Sequence, residues 1–213
     1  MKRRDFSAQF AAAALGLPFL GSAQAQGGPV EGTHYIKLNQ PVPVPANGKV
    51  NVVEFFWYGC PHCNAFEPTL DAWSKQLPAD VNFQRAHVAF SALHETHSKI
   101  FYTLETMGLV EQMHRKVFNA IHVQRKRLDK PADIEAFMTE NGVDGKKFIE
   151  IFKSFAVQTK VRQAKQLSDA YKIDGVPAIG VQGRYWTSVG LAGSPERALA
   201  VVSFLAQKVR TGG

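Results

Sequence analysis

Val52-Val53-Glu54-Phe55-Phe56-Trp57-Tyr58-Gly59-Cys60-Pro61-His62-Cys63 is the stretch on which the reading of this chain turns. Its apolar run has the character of a strand buried on both faces. Gly59 closes the run, and Pro61 suits the first turn of a helix, where a missing N–H does no harm. The two cysteines are the only ones in 213 residues. Three positions apart at a strand-to-helix junction, they can close a small disulfide ring or give that disulfide away. Backbone N–H groups and the helix dipole favour a thiolate at such a junction. Exchange needs one thiolate that attacks and a second thiol that resolves the mixed disulfide. Cys60, nearest the positive helix end and the more exposed, is expected to attack, and Cys63, one turn in, to resolve. His62 between them would stabilise the Cys60 thiolate and so make the disulfide an oxidant.

Competing uses of the thiols fare worse. Haem attachment needs a histidine directly after the second cysteine, and Asn64 stands there. A zinc site would have to borrow His94 and His97, whose spacing fits no common finger; exposed histidines on a helix are expected instead. A structural disulfide closing so tight a ring removes little unfolded-state entropy. Neither a metal nor a cofactor is expected.

Working outward, residues 1–25 read as a cleaved signal peptide. Lys2-Arg3-Arg4 supplies a positive start, an apolar stretch follows, and Ala23-Gln24-Ala25 offers small residues for cleavage. Arg3-Arg4-Asp5-Phe6 also fits a twin-arginine export motif. No later segment has the length and apolarity of a membrane span. Without the signal the chain carries 22 lysines and arginines against 17 acidic residues. That balance is modestly basic, and its one cluster, Arg125-Lys126-Arg127, reads as a solvated helix end rather than a nucleic-acid surface.

Strands are expected over 34–38, 50–56 and 81–90. The helix after the thiols should present Phe66, Leu70, Trp73 and Leu77 on one face, with Pro68 kinking it. After Ser91 the chain turns helical. Leu93, Ile100, Leu104 and Met107 mark one helix, Met113, Val117, Phe118 and Ile121 a second, and Ile134, Phe137 and Met138 a third. Phe148, Ile151, Phe152 and Phe155 lead into a long helix ending near Tyr171. Strands resume at Ala178–Val181 and 184–187, and Ser194-Pro195 caps a last helix. Residues 26–90 and 159–213 thus form one strand-bearing unit, interrupted by a helical insertion over 91–158.

Two further features bear on the site. Glu54 is a carboxylate in an apolar strand, which is costly unless it is paired or working. Either it lies beneath the thiols and passes protons to and from Cys63, or it points to solvent at a sheet edge. Glu67 and Arg85 are candidates for a charge pair nearby. Val176-Pro177 precedes a strand, where a trans bond is the default from sequence.

Together, Glu54 through Cys63, Gly175-Val176-Pro177-Ala178 and the helical insertion closely resemble the DsbA family of periplasmic thiol:disulfide interchange proteins. The likeness covers essentially the whole chain after residue 31. It implies an α/β thioredoxin fold with an inserted all-α helical domain, and a strongly oxidising thiol couple, for which that family is the general example. It implies Cys60 as nucleophile, Cys63 as resolving thiol and His62 as the tuning residue. Glu54 matches the family's buried acid, and Glu67 with Arg85 its nearby charged pair. Pro61, Val176 and a cis-Pro177 would meet substrate, which replaces the trans default. Arg85 stands where the best-known member has lysine, and a guanidinium does not give up its proton. Trp57-Tyr58-Gly59 also departs from that member.

The implied activity is oxidation of reduced, unfolded exported proteins in the periplasm, with a DsbB-type membrane quinone reductase restoring the disulfide. A reductase or isomerase on the same fold is the nearest rival. Periplasmic isomerases usually carry an N-terminal dimerisation domain, and roughly 30 residues precede the thioredoxin-like part; a monomer is expected. A binding module or chaperone that uses an apolar groove without redox chemistry is the rival from another class.

Overall fold

A computed structural model describes residues 27–212; the signal peptide expected over 1–25 lies outside them. Five strands form one sheet: β1 (Ile36–Lys37), β2 (Val50–Phe56), β3 (Val81–His87), β4 (Ala178–Val181) and β5 (Tyr185–Ser188), in the order β1-β5-β4-β2-β3. β2 runs parallel to β3 and antiparallel to β4, while β5 is antiparallel to both β4 and β1. The eight helices among the described residues are α1 (Pro61–Ser74), α2 (Ala92–Thr106), α3 (Val110–His122), α4 (Pro131–Glu140), α5 (Gly145–Phe152), α6 (Phe155–Ala170), α7 (Val189–Ala192) and α8 (Pro195–Arg210). This is a thioredoxin-like α/β fold with an all-helical insertion after β3. No helix among the described residues is long and apolar enough to cross a membrane.

β2 is buried along its whole length because each of its faces meets a different core. Val50 and Val52 pack with Phe66 and Leu70 of α1 and with Val201, Val202 and Leu205 of α8. Val53 and Phe55 pack on the other side with Tyr171 and Ala178. Phe56 reaches into a third cluster made by the inserted helices, with Phe101, Met113 and Phe118. Each such side chain contributes about 1.5–3 kcal/mol by leaving water. The sheet thus holds the end of β2, from which the thiols hang, from both sides and from above.

Several elements differ in extent from the sequence reading. β3 stops at His87, three residues short of the expected end, because its partner β2 ends at Phe56 and the ladder closes on that pair. The strand expected over 34–38 pairs only through Ile36 and Lys37. Helix α1 ends at Ser74, so Leu77 lies beyond it; the helix runs through Pro68 without a break. The long helix expected from 148 to 171 is two helices. Ser154 caps α6 by accepting the Val157 N–H at 3.3 Å, and Lys153 terminates α5. Phe155, which continues the apolar spacing of Phe148 and Phe152, is 76 % exposed, with the Arg162 guanidinium 5.3 Å from its ring centre. Helix α6 begins before residue 159 and packs on both α2 and β3, so the helical block and the sheet share it. The basic cluster is largely neutralised: Lys126 pairs with Glu140, and Arg127 lies 2.8 Å from Asp129.

Tyr171 ties the insertion back to the sheet. Its ring packs against Phe55 at 5.1 Å, and its hydroxyl accepts the buried Gly183 N–H at 2.8 Å. Tyr171→Phe keeps the ring and leaves that N–H without a partner. Urea unfolding should show a loss of about 1–3 kcal/mol; an unchanged midpoint would mean that solvent replaces the bond.

Candidate active site

Cys60 is the N-cap of α1, with extended backbone, and Pro61 occupies the first helical position. Its sulfur accepts the Cys63 N–H at 3.3 Å, using the amides that a helix start leaves unpaired. Its own N–H donates to the Trp57 carbonyl at 3.0 Å. Gly59 is required by the same turn: a Cβ there would run into the Trp57 indole. Both cysteines are free thiols in this structure.

Electrostatics divides the pair as the chemistry demands. The Cys60 thiol is pulled down to about 6, first by the hydrogen bond from the Cys63 thiol. Burial opposes this, while the backbone N–H groups of Cys63 and His62, and then the His62 charge, reinforce it. The Cys63 thiol is pushed well up by burial, and further by the hydrogen bond it gives to Cys60. Cys60 is the more accessible of the two thiols, at 6 % against 1 % for Cys63, although the loop before Pro177 largely covers it. His62, on the exposed side of the helix, acts through its backbone N–H and its charge, after the larger influence of the sibling cysteine.

The covering loop is Val176-Pro177, whose peptide bond is cis. The Cys60 thiol donates to the Val176 carbonyl at 3.4 Å. Beside this contact a groove of about 380 Å³ runs past His62, Val176, Pro177, Trp186 and Val189. It offers mostly apolar walls beside the loop that covers the reactive sulfur, which suits an extended polypeptide.

Glu54 does not point to solvent. It is 1 % accessible, and Arg85, its register partner on β3, places Nε 3.2 Å from its Oε2. The same guanidinium lies 3.1 Å from Glu67 Oε1, and Glu67 Oε2 lies 3.4 Å from His114 Nε2 on α3. Glu67 and Arg85, read from sequence as candidates for a charge pair, are thus part of a buried cluster in which Arg85 joins Glu54 to Glu67. The cluster borders a second groove, of about 830 Å³, which neither cysteine lines. Burial pushes the Glu54 carboxyl up to about 8, against the lowering influence of Arg85 and with the help of Glu67. Glu54 can therefore hold a proton near neutrality, close enough to Cys63 for its charge to be felt there.

His97 corrects another expectation. It is 2 % accessible and accepts the Trp57 indole N–H at 3.1 Å, so it packs inward instead of lying on the helix surface. Among the described residues no group of histidine, cysteine, aspartate and glutamate is arranged to hold a metal ion. The sequence reading missed Tyr58, His87, His114 and His122, which surround the thiol loop. His114 alone carried a usable signal: it shares a helical face with Val117, Phe118 and Ile121.

Comparisons with known proteins agree with this geometry. A family model described as a DSBA-like thioredoxin domain matches residues 92–196. The thiol:disulfide interchange protein DsbA of Pseudomonas aeruginosa is 45 % identical over 179 residues, 84 % of this chain and 85 % of the relative. The chain belongs to the DsbA family. The DsbA of Pseudomonas syringae pv. tomato is 42 % identical over 210 residues, covering 99 % of this chain and 97 % of its own. The crystal structure of Pseudomonas aeruginosa DsbA superposes with a TM-score of 0.83 at 44 % identity, over 86 % of this chain and 95 % of that one. A DsbA from Xylella fastidiosa, at 27 % identity, still reaches 0.80 over 86 % and 98 %. The fold and the thiol:disulfide oxidoreductase class follow from this membership.

The charge cluster yields a pH-dependent prediction. Glu54 titrates in the fold at about 8 against an ordinary 4.5. Between those values the folded protein keeps a proton that the unfolded chain has released, so stability falls as pH rises through that window. Arg85→Met removes the one influence that lowers Glu54 and leaves Glu54 and Glu67 buried without their cation. The variant should lose about 3–5 kcal/mol near neutral pH, less at pH 5 and more at pH 9. Urea titrations at pH 5, 7 and 9 test this. An equal deficit at all three would show that Arg85 acts by packing alone.

Proposed function

We propose that this DsbA-family chain is an exported dithiol oxidase. It donates the Cys60–Cys63 disulfide to folding proteins outside the cytoplasm and is reoxidised by a DsbB-type, quinone-linked membrane partner. The observation that carries the reading is the asymmetry of the thiols: a Cys60 held as thiolate near neutrality beside a Cys63 held as thiol. A couple whose reduced form is stabilised in this way gives up its disulfide readily.

The cycle begins when a substrate thiolate attacks Cys60 Sγ, forming a mixed disulfide and releasing Cys63 as a thiolate. Cys63 takes up a proton, which Glu54 is able to supply because it remains protonated up to about pH 8. A second substrate thiolate then attacks the substrate sulfur of the mixed disulfide. The substrate leaves with a disulfide, and Cys60 leaves as the stabilised thiolate. Two electrons now rest on the cysteine pair, and the membrane partner passes them to quinone. Extended substrate lies in the groove beside Val176 and Pro177 and meets Pro61, which precedes the groove residue His62. Arg85 holds Glu54 in place and, as a guanidinium, takes no part in the transfer. The signal-like residues 1–25 and the basic start at Lys2-Arg3-Arg4 support delivery to the periplasm.

Equilibration of the pair with glutathione, read by thiol alkylation, tests the direction of the reaction. The couple should lie far above the thioredoxin value of about −270 mV. A thioredoxin-like potential would sink the oxidase reading and make the chain a reductant.

A further inference from the structure

The two residues between β2 and the thiol loop are held in an unusual way. Trp57 meets the thiol loop through its main chain: its carbonyl accepts the Cys60 N–H at 3.0 Å. Where Trp57 and Tyr58 sit therefore decides where the Cys60 end of that loop sits. Four polar handles on this dipeptide are each held by a different imidazole. The Trp57 indole N–H donates to His97 Nδ1 at 3.1 Å, and the Tyr58 N–H donates to His87 Nε2 at 3.1 Å. The Tyr58 carbonyl accepts from His122 Nε2 at 2.8 Å, and the Tyr58 hydroxyl bonds His114 Nδ1 at 2.9 Å. The chain has seven histidines, so more than half of them converge on two residues.

Hydrogen-bond chemistry dictates the state of two of these rings. An indole N–H and a backbone N–H can only donate, so His97 Nδ1 and His87 Nε2 must each present a lone pair. Their other nitrogens then donate, His97 to the Arg127 carbonyl and His87 to the Val88 carbonyl, both at 2.9 Å. Both rings are neutral with one tautomer each. Burial favours the same state, lowering His87, His97 and His114 below the ordinary imidazole range. His122 is different, for it donates to a carbonyl, a task that any N–H donor of the same reach could perform.

Three of the four imidazoles come from the inserted helices, His97 from α2 and His114 and His122 from α3; only His87 belongs to the sheet. We propose that the helical insertion acts as a positioning element for the redox centre. Its histidines, with His87, lock Trp57–Tyr58 in the one place from which the Trp57 carbonyl meets the Cys60 N–H. His97, His114 and His122 are positioning residues: none touches a sulfur in the bonds described, and each acts through the dipeptide. The inference builds on thiol exchange at Cys60 and is independent of its direction.

The test is the pH profile of iodoacetamide alkylation at Cys60 in the reduced full-length mature protein, with thermal melts alongside. His122→Ala removes the donor to the Tyr58 carbonyl at the accessible end of α3. Its profile should shift upward from that of wild type by about half a pH unit or more, a loss of about twofold in the thiolate fraction at pH 6. His122→Gln, which restores an N–H donor, should return the profile toward wild type. Trp57→Phe, which releases His97, should shift it in the same direction as His122→Ala. Variants that melt earlier with an unmoved profile would overturn the proposal, as would a shift in His122→Ala that His122→Gln fails to rescue. The deciding quantity is the difference between variant and wild type. A wild-type midpoint at the ordinary thiol value would count against the oxidase reading while leaving that difference interpretable.

Discussion

The structure depends on a sulfur placed where a helix leaves its amides unpaired. Cys60 caps α1 as a serine or an aspartate caps other helices, but its capping atom is also the reactive atom. The stabilisation that ends an ordinary helix here stabilises a leaving group. It acts with the Cys63 thiol, which lies one turn further in and is itself kept protonated by burial. The same interaction therefore separates the two cysteines into a group that is readily ionised and one that is not. Every other feature of the site either protects this arrangement or gives a substrate access to it.

Two supports hold it. Below, β2 carries Glu54 into the core beside Arg85, and α1 carries Glu67 to the same guanidinium. A buried carboxylate without a cation would cost several kcal/mol, and the shared arginine offsets part of that while leaving Glu54 hard to ionise. Above, the inserted helices close over Phe56, Trp57 and Tyr58 with aromatic and imidazole rings. His114 belongs to both supports, bonding the Tyr58 hydroxyl on one side and facing Glu67 on the other. The helical block is in this sense continuous with the redox site, although it begins 28 residues after Cys63.

Local signals in the chain were strong wherever the physics was local. Pro61 at a helix start, Ser194-Pro195 at another, and the predominantly apolar run of β2 each have one low-energy reading, and the structure agrees. Periodicity misled where an apolar side chain did not need burial. Phe155 continues the spacing of Phe148 and Phe152, yet Ser154 starts a new helix and turns the ring out under Arg162. The same kind of reading treated His97 as a surface residue, because its half-buried partner, the Trp57 indole, lies 40 positions away.

The sequence by itself determined the kind of chemistry. Two cysteines at that spacing, between a buried strand and a proline-started helix, leave disulfide exchange as the use that fits, and adjacent residues along one chain suffice to define it. Only the tertiary structure decided how the thiols are tuned and covered. The Val176 carbonyl reaches Cys60 across 116 positions, Arg85 joins Glu54 and Glu67 from a neighbouring strand, and the four imidazoles arrive from three separate elements. A hydrogen bond or a desolvated charge depends on distances of about 3 Å. Such distances between residues far apart in the chain exist only once the sheet and the inserted helices have packed.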